Sequence, residues 1–338
     1  MESPKSSTWP DGSVSRSRMT RRNRSPLELF TAARDGDRAA VARLLSLVER
    51  GGDEARDIGR LGYPYTGGAY TIGVTGAPGA GKSTLTSATI KHLRGLELEV
   101  AVLAIDPSSP FTGGAILGDR VRMQDHATDP GVFIRSMATR GHLGGLSLAT
   151  PEAVRLLDAI GRHWILVETV GVGQVEVEIA GKADTTVVVV NPGWGDSVQA
   201  NKAGLMEIAD VFVINKADRK GVDETRRDLE QMLDLSALDL DAWRPPIIPV
   251  VATEGTGVPT LWDTVVEHRA FIEASGELAR RRAFRLRDEL REIVAQRLER
   301  RARQITTGEQ WEALQEQVLA RKLDPWGAAD EMLRGIGG

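Results

Sequence analysis

Tyr70-Thr-Ile-Gly-Val-Thr-Gly-Ala-Pro-Gly-Ala-Gly-Lys-Ser-Thr84 is the stretch whose reading decides the fold. Thr71 to Thr75 is a short apolar run that predicts a buried strand, and Gly76 to Ser83 fits G-x-x-x-x-G-K-[ST] at every fixed position. Leu85 to Leu93 carries helix-forming residues, so strand, glycine loop and helix follow one another as that pattern requires. Through Gly76, Ala77, Pro78, Gly79, Ala80 and Gly81 the backbone can turn N–H groups inward around a phosphate. The start of the helix at Lys82, Ser83 and Thr84 adds partial positive charge. Lys82 is placed to reach the β- and γ-phosphates, and the Ser83 hydroxyl to bind Mg²⁺. The expectation is a nucleoside-triphosphate site rather than a glycine-rich turn that binds nothing.

Downstream, apolar runs alternate with helical segments. Val100–Ile105 ends on Asp106, Phe133–Ser136 is shorter, and Trp164–Val167 ends on Glu168. Thr186–Val190, Val211–Ile214 and Ile247–Val251 complete the series. This order predicts an α/β fold, a P-loop NTPase with a mostly parallel central sheet flanked by helices. Ligands of such sheets bind beyond the carboxyl ends of the strands, which is where these polar residues fall.

Upstream, Ser25-Pro26 reads as an N-cap followed by proline at the first helical position. Leu27, Leu29, Phe30, Val41, Leu44, Leu45 and Val48 then predict two helices broken near Asp35-Gly36-Asp37, with Gly51–Gly68 as a polar connection. Beyond Ser275 a long charged helix runs from Glu277 to Arg303 with Ala283, Leu286, Leu290 and Ile293 on one stripe, and two shorter helices follow Gly308. That stripe is wide enough to pack on the core or on a partner. The clusters Arg280-Arg-Arg282 and Arg300-Arg301 read as a solvated face laced with acids. The expected division is a basic tail over 1–24, an N-terminal helical extension over 25–68, the P-loop domain over 69–274 and a C-terminal helical segment over 275–338.

Composition narrows the functional classes. At 41% hydrophobic and 27% charged residues the 338-residue chain is ordinary globular material, and its net charge of −4 gives no reason to expect nucleic-acid or membrane binding. The absence of cysteine excludes disulfides and thiolate chemistry, and five scattered histidines do not make a transition-metal store. Met1 to Ser25 holds five arginines but no apolar core, so it is read as a disordered tail rather than a secretory signal; the expected location is the cytoplasm.

Two further elements refine the ligand. Asn215-Lys-Ala-Asp218 follows a strand. A carboxylate at Asp218 accepts from the N1–H and amino group of guanine, whereas adenine offers no matching pair and would leave a buried charge unsatisfied. The Lys216 stem can lie along the base while Asn215 ties the loop down. Val251, Ala252 and Thr253, at the end of the last strand, are placed to present N–H groups to the guanine carbonyl. GTP or GDP is therefore expected over ATP. Mg²⁺ needs hard oxygen ligands, and besides Ser83 three acids can serve: Asp106, Glu168 and Asp119, the last equally readable as a helix cap or a surface acid. The Gly171 N–H can contact the γ-phosphate, and Gln174 can orient water.

Because one acid closes the strand after the P-loop helix and another, Glu168, comes far downstream, the layout resembles the SIMIBI class of P-loop NTPases. More specifically, the chain resembles the MeaB/ArgK family of G-protein chaperones. The likeness rests on Gly76–Leu85, Ala104-Ile-Asp-Pro-Ser-Ser-Pro110, Gly113-Gly-Ala-Ile-Leu-Gly-Asp-Arg120, Phe133-Ile-Arg-Ser, Thr139–Leu146, Glu168-Thr-Val-Gly-Val-Gly-Gln174, Gly195-Asp196, Glu207–Asp210 and Asn215–Asp218. It spans roughly residues 38 to 260. The resemblance implies Mg²⁺-dependent GTP hydrolysis, with Lys82, Asp106, Asp119 and Glu168 as catalytic residues and Ser83, Asp106, Asp119 and Glu168 around the metal. It implies switch loops near Ser108–Arg122, Gly171–Glu178 and Gln199–Glu207, with Lys202 as a signalling residue. It also implies a homodimer built on the C-terminal helices. The expected partner is an adenosylcobalamin-dependent acyl-CoA mutase, methylmalonyl-CoA mutase or a related isobutyryl-, ethylmalonyl- or 2-hydroxyisobutyryl-CoA enzyme. Val175 departs from the serine usual in the family. The alternatives are an ATPase or kinase of lysine/arginine/ornithine transport and a nickel-insertion GTPase.

Overall fold

The computed structural model describes residues 24–107, 124–126, 128–139, 145–169, 182–193, 207–235 and 241–334. Seven strands, β1 (Tyr70–Gly76), β2 (Val100–Pro107), β3 (Val132–Thr139), β4 (Trp164–Thr169), β5 (Thr185–Val190), β6 (Val211–Asn215) and β7 (Ile247–Val250), form one sheet in the order β3-β2-β4-β1-β5-β6-β7. Every pairing is parallel. Each strand grows from an apolar run of the sequence. The last stops one residue earlier than expected, because Val251 leaves the ladder for an antiparallel bridge to Thr256.

A parallel sheet must be covered on both faces, and alternate residues of each strand are shared between the two covers. Ile72, Val74, Val102, Leu166, Val187 and Val189 pack under α4 (Lys82–Gly95) and under α7 (Val258–Ala274). Leu103, Ile105, Ile165 and Val167 meet α5 (Gly145–Ala159) and the N-terminal helices α1 (Pro26–Arg34), α2 (Arg38–Arg50) and α3 (Asp53–Gly62). Val188, Val190, Phe212 and Ile214 meet α6 (Val222–Leu235). Placing β4 between β1 and β2 brings the carboxyl ends of three strands together beside the P-loop.

The predicted cap is present. The Ser25 N–H donates to Glu28 Oε2 at 2.8 Å, the Glu28 N–H donates back to Ser25 Oγ at 3.3 Å, and Pro26 opens the helix. Asp37 Oδ1 accepts from the N–H groups of Ala39 and Ala40 to start α2. Two expectations need correction. Gly51–Gly68 is not merely a connection: it contains α3 and a short 3₁₀ turn, Tyr63–Tyr65. Asp53 and Glu54 complement the helix N-terminus, and Ala55, Ile58 and Gly62 bury a stripe that its glycines and charges conceal.

The arginine cluster of α8 (Glu277–Ile305) is the second. Arg280 stays on the surface with Glu277, but Arg281 and Arg282 turn inward onto Asp210 and Asp184. Arg285, Glu289 and Glu292 continue that face, pairing with Asp184, Arg155 and Lys182. The docking face of α8 is therefore ionic, while Leu286 and Leu290 of the expected apolar stripe are 48% and 60% exposed. Helices α9 (Glu309–Leu319) and α10 (Pro325–Arg334) close on each other through Leu314, Ala328 and Met332. Among the described residues no helix is long and apolar enough to cross a membrane.

Candidate nucleotide site

The loop between β1 and α4 is shaped by residues that cannot carry a side chain. Gly76 has φ 140°, and an added Cβ would lie 2.0 Å from the Val189 carbonyl oxygen. Gly81 has φ 92°, and an added Cβ would lie 2.3 Å from Asn215 Nδ2. Only glycine meets both the left-handed backbone and the crowding. At Gly79, with φ 73°, an added Cβ meets nothing within 4 Å, so there the backbone conformation alone selects glycine.

Side chains from the start of α4 and from the end of β6 converge on this loop. Lys82 Nζ donates to the carbonyls of Gly76 at 2.6 Å and Ala77 at 3.1 Å, which holds the ammonium over the loop. Lys216, itself in the left-handed region at φ 58°, reaches from the end of β6 to donate to the Gly79 carbonyl at 2.7 Å. Asn215 bridges two loops. Its Nδ2 donates to the Ala80 carbonyl at 2.8 Å, and its Oδ1 accepts from the Ala252 N–H at 3.2 Å. Asn215 thus ties the end of β6 to the P-loop and to the segment after β7. Pro78 and Thr84 occupy the loop and the first turn of α4 as the pattern requires.

Ser83 and Glu168 meet on the other side. Ser83 Oγ donates to Glu168 Oε1 at 2.6 Å, and Glu168 is fully buried. A hydroxyl and a carboxylate this close at a helix start are hard oxygen donors of the kind Mg²⁺ takes, so the residues present fit that ion. Asp106 lies at the end of β2, where its backbone pairs with Ala138; its side chain is outside the described part. Asp119, Gly171, Gln174, Val175 and Lys202 also fall outside the described residues, as do most of the three expected switch loops.

Of Val251, Ala252 and Thr253, each expected to present an N–H group to a guanine carbonyl, the first two have that group engaged within the protein. The Val251 N–H donates to the Thr256 carbonyl and the Ala252 N–H to Asn215, so these two hold the loop together. Thr253 and Asp218 are both exposed. Sequence reading passed over Thr75 and Thr169, whose buried hydroxyls hydrogen-bond to each other at 3.1 Å between β1 and β4. It also passed over Asp184 and Asp210, since nothing local distinguishes an acid before a strand from an ordinary turn residue.

A strand–glycine loop–helix unit, lysine and serine opening the helix, and an Asn-Lys-x-Asp loop bonded to it define a P-loop GTPase. The chain belongs to the family described as Methylmalonyl Co-A mutase-associated GTPase MeaB, whose profile matches residues 41–307. A Pyrococcus abyssi relative, provisionally named a GTPase, is 53% identical over 312 residues, 91% of this chain and 96% of its own length. GTPase ArgK of Escherichia coli is 40% identical over 258 residues, 74% of this chain and 78% of its own. The mouse mitochondrial methylmalonic aciduria type A homolog is 34% identical over 331 residues, 91% of this chain and 79% of its own. Among solved structures, one described as an LAO/AO transport system kinase superposes with a TM-score of 0.68 at 29% identity, covering 93% of this chain and 98% of that one.

Proposed function

We propose that this GTPase is the chaperone of an adenosylcobalamin-dependent acyl-CoA mutase, coupling GTP binding and hydrolysis to loading and protection of the mutase cofactor. The observation that carries the reading is the family match, described as mutase-associated and spanning residues 41–307, reinforced by the mouse relative named for methylmalonic aciduria. Methylmalonyl-CoA mutase is the first candidate client.

In this reading the loop Gly76–Gly81 cradles the phosphates and Lys82 moves from its carbonyl partners to the β- and γ-phosphate oxygens, where it stabilises charge developing in hydrolysis. Ser83 and Glu168, with Asp106 and Asp119, hold Mg²⁺, which when bound neutralises phosphate charge. Asp218 accepts from the guanine N1–H and amino group, Lys216 lies along the base, and the Thr253 N–H and Gly171 N–H complete the base and γ-phosphate contacts. The protein mainly positions these groups, so turnover without the partner is slow. On α8 the row Leu286, Leu290, Val294 and Leu298, exposed at 48%, 60%, 48% and 62%, supports a homodimer arm formed by the C-terminal helices.

The test is GTP turnover by the purified chain with and without each candidate acyl-CoA mutase. Acceleration by one mutase is the expected outcome, and an unchanged rate with all of them removes the proposal. A second reading, a kinase of lysine/arginine/ornithine transport, is favoured by the name of the superposed structure. Binding of ATP as tight as that of GTP would support it against the guanine preference expected from Asp218.

A further inference from the structure

Two buried hydroxyls stand side by side where the chain leaves the sheet for the pocket. Thr75 precedes Gly76 at the end of β1, and Thr169 is the last residue of β4. The register places Val74 opposite Glu168, so Thr75 and Thr169 are the next neighbours, and each is only 1% exposed. Thr169 Oγ1 donates to Thr75 Oγ1 at 3.1 Å, with the Val74 carbonyl at 3.4 Å as the alternative acceptor.

Packing does not require threonine at either position. Valine has the same shape and an equal or better preference for strands, and it buries no hydroxyl. The residues that share this face of β4, Ile165 and Val167, are apolar and pack into the cluster beneath α5. In that layer one hydroxyl donates to the other, which makes a directional contact between two strand ends where apolar side chains would make a sliding one. Successive strand residues point to opposite faces. Glu168 therefore faces α4, one residue before the hydroxyl contact, and Ser83 Oγ donates to it at 2.6 Å.

We propose that the Thr75–Thr169 pair is a positioning element for the metal side of the pocket. By fixing the end of β4 against the P-loop strand, it sets the Glu168 carboxylate level with Ser83. The inference rests on the reading of Ser83 and Glu168 as Mg²⁺-binding residues.

The experiment titrates Mg²⁺ into the full chain carrying a fluorescent GDP analogue, with a parallel measurement in EDTA, for the wild type, Thr169→Val, Thr75→Val and Thr169→Ser. In EDTA the valine variants should bind the analogue within about twofold of wild type. They should need about fivefold more Mg²⁺ for half-maximal tightening, the effect of losing one neutral hydrogen bond. Thr169→Ser, which keeps the hydroxyl, should restore the wild-type midpoint. A wild-type Mg²⁺ midpoint in both valine variants overturns the proposal. So does a serine variant as impaired as Thr169→Val, since the hydroxyl it keeps would then not be what sets the midpoint. If Thr169→Val does not fold, Thr75→Val carries the same comparison. A wild-type chain whose nucleotide binding ignores Mg²⁺ removes the metal reading and this proposal together, whereas a wild-type response with unmoved variants removes the hydroxyl pair alone.

Discussion

The two ends of the same sheet handle charge in opposite ways. At the carboxyl end, Lys82 and Lys216 each reach to carbonyls of the P-loop. At the amino end, Asp184 and Asp210 sit one residue ahead of β5 and β6 and meet full opposite charges from α8. Asp184 takes Arg282 at 2.7 Å, Arg285, and the N–H of Thr71 at 3.0 Å. Asp210 takes Arg281 at 3.0 Å, the Thr186 N–H at 2.8 Å, and has His268 Nε2 at 3.2 Å. Burial pushes the Asp184 carboxyl up, but the Arg282 hydrogen bond and the charges of Arg285 and Arg282 outweigh it and hold the group below the usual carboxylate range. The carbonyl bonds of Lys82 and Lys216 are single hydrogen bonds that a phosphate oxygen can replace. A buried ion pair cannot be opened so cheaply. One end is built to change partners, and the other to keep them.

The largest expected effect breaks the carboxyl end. Lys82→Met keeps most of the side-chain volume and deletes the charge. GTP turnover should fall at least about a hundredfold, the loss typical of removing one electrostatic stabiliser of the transition state. The thermal midpoint should stay near that of wild type. Turnover within tenfold of wild type would mean that this loop does not carry the chemistry.

The opposite pattern is expected at the amino end. Asp184→Asn should cost about 3–5 kcal/mol of stability at pH 7, because it strands Arg282 and Arg285 beside a neutral group, while GTP affinity stays unchanged. The sign with pH follows from a depressed folded pKa. The advantage of the wild-type carboxylate is present above its ordinary pKa and is lost as pH falls through the lower folded value. Urea unfolding curves for the two proteins should therefore converge in acid. A deficit that is equal at pH 7 and in strong acid would show that charge is not what Asp184 contributes.

The contrast also explains what could be read from the sequence. The carboxyl end was legible because its parts are local: a phosphate loop needs its glycines, lysine and serine consecutive, and Asn215-Lys-Ala-Asp218 is four residues long. The central strands were legible because burial on both faces leaves short, largely apolar runs. The amino end was not legible. The acids Asp184 and Asp210 lie 98 and 71 residues from the arginines Arg282 and Arg281 they hold, and only the chain's return to the sheet brings them together. Arg280 to Arg282 shows the ambiguity at one residue's resolution: a helical turn sends the first outward and the next two inward. Thr75 and Thr169 were hidden for a related reason, since threonine is unremarkable in a strand until the register sets two side by side.

The mildest prediction tests whether the ionic docking of α8 contains a fault as well as strengths. Arg155 on α5 makes a bidentate pair with Glu289 of α8, both contacts at 2.6 Å. Glu152, one turn earlier on α5, is a second carboxylate beside a guanidinium already engaged, in a niche lined by Val48, Ile58, Tyr63 and Leu156. Burial pushes the Glu152 carboxyl up to about 6; Arg155 pulls the other way, and Glu289 adds to the rise. A raised carboxyl pKa is a cost of ionisation in the folded state. The cost is absent below the ordinary value near 4.5, grows as pH rises to about 6, and is complete above it. Glu152→Gln, which cannot ionise, should leave stability unchanged at pH 4 and raise it by about 1–2 kcal/mol at pH 7.5. Denaturation midpoints at the two pH values measure the difference directly. A glutamine variant no more stable than wild type at pH 7.5 would mean that Glu152 has solvent or a partner to itself, and that the contact of α8 with α5 is as well matched as the one at Asp184.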